Sequence, residues 1–244
     1  MRVKLTVCYP YYRHREMFER HLNCWLSWPR ELRRQVEFII VDDGSPQPLQ
    51  ITLDAVNLRH YRVDVDIPWN YGAKNLAVSK ASTEWVFISE LDHMLRARDA
   101  EKLLARCDDQ HDRVLTVDRK NYHPDADPRY TAKPHPATWL LTKTTFNAVG
   151  GFDEDFAGAY GHDDTYFVAL LRNQGFRFEH DPDIVLANYS GNHTYADADL
   201  TGKVSKDTTR NTELLRLKLQ TMFTPKLQLR FKWHFVGRMT SEET

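Results

Sequence analysis

The chain has 244 residues, enough to bury a substantial core as one larger domain or two fused halves. Its 33 basic and 34 acidic residues nearly balance, so charge gives no general argument for binding nucleic acid or a membrane. The three cysteines lack metal-ligand spacing, and no run approaches the ~20 apolar residues of a membrane span. Because the chain begins directly with a strand pattern, we expect a cytoplasmic protein, peripheral to a membrane if its basic tail binds one.

The first part of the chain alternates strand and helix patterns. Short apolar runs predict strands at residues 3–8, 36–41, 59–65 and 85–89. Helices are predicted between them at residues 15–26, 49–58 and 73–80. This alternation is typical of an α/β fold with a mostly parallel central sheet flanked by crossover helices.

The pattern is less regular after residue 93. Helices are predicted at residues 100–107, 143–149, 163–173 and 208–219, and strands at residues 113–117, 138–141 and 184–187. Residues 118–136 read as a long polar loop with four prolines, and a loop of this length often serves a function such as acceptor binding.

An acidic pair follows the buried run at residues 85–89. The sequence there is Glu90-Leu91-Asp92-His93, at the position where open α/β sheets bind their ligands. Two carboxylates and an imidazole could hold a hard divalent cation, which in turn could hold a diphosphate. On this stretch alone, a polar strand end in contact with solvent explains the residues equally well.

Other polar groups follow neighbouring strands and should reach the same sheet edge. Asp42 or Asp43 could accept a nucleobase N–H, Tyr11 or Tyr12 could stack on the base, and Lys74 could meet a phosphate. The plainer alternatives are a turn for the aspartates and a solvated helix residue for the lysine. No G-x-G-x-x-G or phosphate loop is present, so a dinucleotide or Walker-type site lacks support.

A second group of carboxylates lies at residues 150–164. Five carboxylates and four glycines fall in this stretch, which packing alone does not explain. Glycines let the backbone approach a ligand closely, and a carboxylate at the start of the next helix is favoured by the helix dipole. For Asp163 or Asp164, a plain helix N-terminal position is as good an explanation as a catalytic one.

Taken in order, these motifs resemble GT-A fold, family-2-like inverting glycosyltransferases, over about residues 3–195. The later portion is similar to the carboxyl-terminal part of β-1,4-galactosyltransferases. The motifs are Val41-Asp42-Asp43-Gly44-Ser45, Asn70-x-Gly72-x-Lys74-Asn75-x-Ala77, Glu90-Leu91-Asp92, Gly150-Gly151-Phe152-Asp153-Glu154 and Gly161-His162-Asp163-Asp164.

The resemblance implies a role for each matching residue. Donor-binding residues would be Pro10, Tyr11, Tyr12, Asp42, Asp43, Lys74, Glu90, Leu91 and Asp92. The metal, Mn²⁺ or Mg²⁺, would be held by Glu90, Asp92 and His193, with Asp163 as catalytic base and Gly161, His162 and Asp164 at the acceptor. Three residues depart from the family pattern: Lys74 stands for Arg, Glu90 for Asp and His162 for Glu. The last change leaves Asp164 as a rival for the base.

The implied function is transfer of a sugar from a nucleotide-sugar to a hydroxyl acceptor such as a saccharide. The reaction would depend on a metal ion and invert the anomeric centre, and a UDP-sugar is the expected donor. The catalytic domain would span residues 1–202, with a nucleotide-binding half at about 1–95 and an acceptor-binding half at about 96–202. The alternatives are a sugar-phosphate nucleotidyltransferase and a non-catalytic carbohydrate- or nucleic-acid-binding module.

A basic helical extension is predicted at residues 203–244. It could bind an anionic membrane surface or a polyanion, but Pro225 interrupts any long amphipathic helix. We therefore favour a helix that packs back on the domain.

Overall fold

The computed structural model describes residues 2–51, 56–65, 67, 71–107, 112–121, 132–189, 207–222, 227 and 229–239. Its strands are β1 (Leu5–Tyr11), β2 (Val36–Asp42), β3 (Leu58–Val63), β4 (Trp85–Ile88), β5 (His93–Met94), β6 (Arg113–Asn121), β7 (Lys133–Thr142), β8 (Arg177–Asn188) and β9 (Trp233–Met239). Its helices are α1 (Arg15–Leu26), α2 (Arg30–Arg33), α3 (Gly72–Lys80), α4 (Ala97–Ala105), α5 (Lys143–Ala148), α6 (Asp163–Asn173) and α7 (Thr209–Thr221). A short 3₁₀ helix, Glu154–Phe156, lies between α5 and α6.

The strands form one nine-stranded sheet in the order β5-β8-β6-β7-β4-β1-β2-β3-β9. Strands β4, β1, β2 and β3 are parallel neighbours, as the alternation of strands and helices predicts. Antiparallel pairs join β4 to β7, β7 to β6, β8 to β5 and β3 to β9. The predicted α/β class is confirmed, and its parallel character is concentrated in the first half of the chain.

Helices cover both faces of the sheet, so the central strands are apolar on both sides. Every residue of β2 is buried. On one face, α1 packs Trp25 against Phe38 with the ring centroids 4.0 Å apart. On the other face, α5 and α6 join Phe146 and Phe167 to a second cluster. The two cores hold the sheet rigid beneath the loops at its carboxyl edge.

Helix α3 carries polar side chains into the second core. Its small residues Gly72, Ala73 and Ala77 allow the helix to approach the sheet closely, and residues 72–78 are all buried. Lys74 and Asn75 are therefore buried as well, and a buried polar group needs a partner. Both partners lie in the candidate site.

Some boundaries differ from the sequence prediction. The polar loop expected at residues 118–136 is shorter, because β6 continues to Asn121 and β7 begins at Lys133, while residues 122–131 lie outside the described part. The strand expected at residues 184–187 is the end of the longer β8. Pairing with β6 carries β8 through polar residues that an apolar pattern does not mark. The helix expected at residues 49–58 falls partly on residues outside the description.

The carboxyl-terminal extension is helical only in part. Helix α7 is present, but β9 then pairs antiparallel with β3 at the edge of the sheet. The Tyr61 ring contacts Phe235 at a centroid distance of 5.2 Å, and the Lys80 Nζ lies 3.9 Å from the Trp233 ring centroid. Within the described residues, no helix combines the length and apolar character needed to cross a membrane.

Candidate active site

The carboxyl ends of β1, β2 and β4 lie side by side. In the register of the sheet, Tyr11 is opposite Asp42, and the backbone N–H of Asp43 donates to the Tyr11 carbonyl at 2.8 Å. The backbone N–H of Arg13 donates to the Ser45 hydroxyl at 3.0 Å, which ties the two loops together. Tyr11, Asp42 and Asp43 thus share one edge of the sheet, where open α/β sheets bind ligands.

Asp42 is a structural carboxylate. It is fully buried, and it accepts hydrogen bonds from the backbone N–H groups of Ser45 and Leu49, each at 2.9 Å. It also accepts from the Arg62 guanidinium at 2.7 Å. These contacts use its oxygens to shape the loop that carries Asp43, so Asp43 is the better candidate for a nucleobase contact.

The two predicted tyrosines have different environments. Tyr11 is 3% exposed and packs edge-on against Phe18, and burial together with Asp42 raises its pKa to about 12. Tyr12 is only partly buried, and the Arg13 guanidinium lies 4.8 Å from its ring centroid. Stacking on a base is therefore open to Tyr12 rather than Tyr11. The partly buried Pro10 lies next to Tyr11 within β1, at the same edge of the sheet.

Lys74 and Glu90 form an ion pair with 2.5 Å between the Lys74 Nζ and Glu90 Oε1. Burial lowers the pKa of Lys74, but attraction from Glu90 and Asp163 outweighs it and leaves the pKa raised. Burial raises the pKa of Glu90, but Lys74 outweighs this effect and leaves it lowered. Both groups are thus charged at neutral pH, with the Lys74 ammonium also 4.9 Å from the Phe152 ring centroid.

Asp92 lies in a different electrostatic environment from Glu90. Burial, and then repulsion from Glu90, raise the pKa of Asp92 to about 6, although Arg119 opposes the change. Arg119 donates to the Nε2 of His93 at 3.1 Å, so this nitrogen accepts and the ring is neutral. Burial lowers the pKa of His93 to about 4, which agrees with that tautomer. Repulsion between the Glu90 and Asp92 carboxylates favours a proton or a metal ion on Asp92.

Backbone contacts hold the acidic pair in place. The Nε2 of His21 in α1 donates to the Leu91 carbonyl at 2.6 Å, and burial keeps that imidazole neutral by lowering its pKa to about 4. The Asp92 carbonyl accepts from the Tyr189 N–H at 2.8 Å. The Leu91 side chain is itself buried, and its backbone carbonyl helps to fix the turn that carries Glu90 and Asp92.

Asp163 is the first residue of α6 and is 7% exposed. Burial raises its pKa to about 7, Lys74 opposes this rise, and Asp164 and Glu90 add to it. A carboxyl group with a pKa near neutrality can both lose and accept a proton at the working pH. Asp163 therefore combines burial with electrostatic interactions with Lys74 and Glu90, which is compatible with acid–base chemistry.

The residues on either side of Asp163 in the sequence make different contacts. The Asp164 carboxylate accepts from the backbone N–H of Thr165 at 2.6 Å, which turns it toward its own helix end. His162 has a φ of +70°, an unfavourable value for a residue with a Cβ, and its Nε2 lies 2.9 Å from the Thr212 hydroxyl of α7. Gly161, with a φ of +85°, precedes it. Asp163 also accepts from a backbone N–H, that of Asp164, so the two carboxylates differ mainly in burial: Asp163 is buried and Asp164 is partly exposed.

Helix α3 is bonded to the acidic segment before α6. The Asn75 side chain donates to the Phe152 carbonyl and the Glu154 carboxylate and accepts from the Phe152 N–H, at 2.8 to 2.9 Å. Gly151 has a φ of +70°, and an added Cβ would lie 2.6 Å from the Asn75 Oδ1. This glycine is therefore required for the close approach of the two segments.

The basic tail neutralises the acidic segment. Lys218 Nζ lies 2.6 Å from Asp153 and 2.7 Å from Asp155, and the Arg230 guanidinium also pairs with Asp155. The backbone N–H of Arg230 donates to the Glu154 carboxylate at 3.0 Å. These contacts agree with a tail that packs back on the domain.

Two contributors to this site are missed by sequence reasoning. Arg119 lies in a stretch that reads as a loop, so it carries no local signal. Asn75 stands inside the Asn70-x-Gly72-x-Lys74-Asn75-x-Ala77 motif, which is the one signal that could have identified it. Contacts made by distant segments determine both.

The expected metal ligands are only partly within the description. His193 lies outside it. Among the residues that are described, no three His, Cys, Asp or Glu side chains are grouped to hold a metal ion. Glu90 and Asp92 supply the hard oxygen donors that Mn²⁺ or Mg²⁺ prefers, and their mutual repulsion is the kind that a cation relieves.

Solved structures share this fold at low sequence identity. Mannosyltransferase PcManGT from Pyrobaculum calidifontis, in complex with GDP-Man and Mn²⁺, is 21% identical with a TM-score of 0.55, over 80% of this chain and 59% of that one. S. aureus TarS 1-349 in complex with UDP-GlcNAc is 16% identical with a TM-score of 0.55, over 80% of this chain and 61% of that one. The chain therefore spans about three fifths of the length of these structures.

The family model for glycosyl transferase family 2 matches residues 6–175, which is most of the chain. No curated protein matches the sequence. The GT-A fold and the glycosyltransferase class expected from the motifs are confirmed, while the likeness to β-1,4-galactosyltransferases stays a prediction. With its strand-edge aspartates, its acidic pair and the carboxylate at the start of α6, this chain belongs to glycosyl transferase family 2.

Proposed function

We propose that this chain transfers a sugar from a nucleotide-sugar, with a UDP-sugar as the first donor to test, to a hydroxyl acceptor with inversion of the anomeric centre. The observation that carries the proposal is Asp163, a buried carboxyl group with a pKa of about 7 beside Lys74 and Glu90. The solved structures lend support to a nucleotide-sugar donor, since PcManGT holds GDP-Man and TarS holds UDP-GlcNAc.

In this proposal Asp163 accepts the proton of the acceptor hydroxyl as the oxygen bonds to the anomeric carbon. The bond from that carbon to the diphosphate oxygen breaks on the opposite face, and the nucleoside diphosphate leaves with the electron pair. General-base catalysis of this kind contributes about 10²–10⁴-fold. Attack opposite the leaving group accounts for the inversion.

The donor would lie along the edge formed by β1, β2 and β4. Asp43 would accept a base N–H, and the partly exposed Tyr12 would stack on the ring. Lys74, held charged by Glu90, would place its ammonium near the phosphates as a point charge.

Glu90 and Asp92 would hold a divalent cation, with His193 as the further ligand that the family resemblance suggests. When bound, such an ion neutralises developing charge on the diphosphate as a Lewis acid.

Donor binding followed by product analysis tests the proposal. Melting temperature is measured with UDP-, GDP- and dTDP-sugars, each with and without Mn²⁺, because a ligand bound only to the folded state raises stability. The matched nucleoside monophosphates serve as controls. A donor that stabilises the protein is then supplied with saccharide acceptors, and the product linkage is read by NMR. Absence of any donor effect, or a product with retained configuration, would contradict the proposal.

A further inference from the structure

Asn211 of α7 is a fully buried polar residue outside the segment that matches the family model. Its Nδ2 lies 3.0 Å from the carbonyl oxygen of Phe156 and 2.9 Å from those of Ala159 and Gly161. Its Oδ1 accepts from the Arg210 guanidinium at 2.9 Å. The opposite amide orientation would turn an oxygen toward three carbonyl oxygens, so the hydrogen bonds fix which way the amide points.

These contacts supply partners for a loop that has little secondary structure of its own. The loop comprises residues 156–161, and its carbonyl groups need donors wherever they are buried. Arg210 adds contacts to the Asp155 carbonyl at 2.9 Å and the Ala157 carbonyl at 3.2 Å. The amino end of α7 thus serves as a donor surface for the 156–161 loop.

The same loop is also bonded to Tyr71, the residue that precedes α3. The Tyr71 hydroxyl donates to the Ala159 carbonyl at 3.3 Å and accepts from the Gly161 N–H at 3.2 Å. The loop then passes through two residues with positive φ, Gly161 and His162, directly into Asp163. A left-handed conformation at His162 persists only if the surroundings enforce it.

We propose that Asn211 is a positioning residue for transfer: by fixing the 156–161 loop, it sets the start of α6 and the direction of Asp163 toward the acceptor hydroxyl. The inference rests on the proposed function, because Asp163 is taken as the base. It assigns the carboxyl-terminal segment a part in the acceptor step. Within the described part of the chain, the side-chain hydrogen bonds of Asn211 go to Arg210 and to the 156–161 loop, so donor binding should not depend on it.

The test uses the full-length chain with Asn211→Ala and Asn211→Asp. The aspartate keeps nearly the same volume but, when ionised, cannot donate and places a negative charge beside the three carbonyl groups, so it tests the hydrogen bonds at constant volume. Arg216→Ala is the matched control, because Arg216 lies on the same helix and pairs only with the exposed Glu213 in the contacts described. We expect both Asn211 variants to lose at least ~10-fold in kcat, with a raised acceptor KM and a donor Kd within about twofold of wild type.

Hydrogen exchange provides a readout that does not need activity. In the Asn211 variants, exchange should speed up in residues 156–163 but not in β4, which belongs to the sheet core. If neither Asn211 variant folds, Tyr71→Phe removes the hydroxyl that bonds to the same loop. It should give the same loss of kcat at unchanged donor Kd, to a smaller extent.

Two results would overturn the inference. One is an unchanged kcat together with unchanged exchange in residues 156–163. The other is a loss of donor affinity as large as the loss of turnover, which would indicate general destabilisation. If wild type transfers no sugar, the proposed function fails, whereas exchange in the 156–163 segment still decides whether Asn211 positions the loop.

Discussion

Replacing Asp163 with asparagine gives the sharpest test of the mechanism. The amide has nearly the shape of the carboxylate but cannot take a proton at neutral pH. We expect Asp163→Asn to lower kcat by about 10²–10⁴-fold, the usual contribution of a general base, with donor Kd little changed. Asp164→Asn should lose far less, because Asp164 is only partly buried and interacts more weakly with Lys74 than Asp163 does.

The same substitution should change stability in a pH-dependent way. The Asp163 pKa is raised from its ordinary value of 3.8 to about 7, by burial first and by the neighbouring carboxylates second. As pH rises between these values, the unfolded chain ionises while the folded chain keeps its proton, so the free energy of unfolding falls. A pKa change of this size corresponds to at most about 4 kcal/mol. Asp163→Asn removes this loss, so the variant should be more stable than wild type at about pH 8 and gain little at about pH 4.

The assays are donor calorimetry, initial-rate kinetics and urea unfolding across pH. In wild type, kcat/KM should rise with pH through about 7, because the base must be deprotonated. The residual activity of Asp163→Asn should not show this rise of kcat/KM with pH. An active Asp163→Asn beside an inactive Asp164→Asn would transfer the role to Asp164. Full activity in both variants would refute general-base catalysis by this segment.

Three further predictions concern the metal, the glycine contact and the tail. Asp92→Asn should abolish Mn²⁺-dependent binding of a nucleoside diphosphate, whereas Glu90→Asp should be tolerated better; unchanged metal-dependent affinity in calorimetry would contradict this. Gly151→Ala should cost at least about 2 kcal/mol in urea unfolding, because the added Cβ meets atoms at 2.6 Å. Gly175→Ala, with a similar φ but open space, is its control and should cost about 1 kcal/mol. If the tail binds anionic membranes, the protein should co-sediment with anionic vesicles at low salt and not at high salt, and no binding at low salt would leave packing as the tail's role.

The sequence by itself determines much of the fold and the position of the acidic groups. Strand β4 and helix α6 follow from local patterns: the first from an apolar run, the second from apolar spacing that begins at Asp163. The groups at the ends of β1, β2 and β4 could be expected at one edge because parallel strands end together.

Tertiary structure alone separates residues that the sequence presents as equivalent. Asp42 and Asp43 are adjacent acids, yet Asp42 is fixed by Arg62 from β3 and by two backbone donors. Tyr11 and Tyr12 differ in the same way, because Tyr11 is the last residue of the buried strand β1 and Tyr12 follows it in the partly exposed loop. Such differences depend on partners distant in sequence.

The carboxyl-terminal tail shows most clearly what the sequence alone does not determine. Its sequence favours a packed helix over a membrane-surface element because Pro225 interrupts the amphipathic pattern, but only the fold places a strand, β9, beside β3. Likewise, Asn211 is one polar residue in a polar helix until the 156–161 loop presents three carbonyl groups to its amide. A sequence determines local propensity and periodicity, whereas the partner of a buried polar group is decided by segments that meet only when the whole chain has folded.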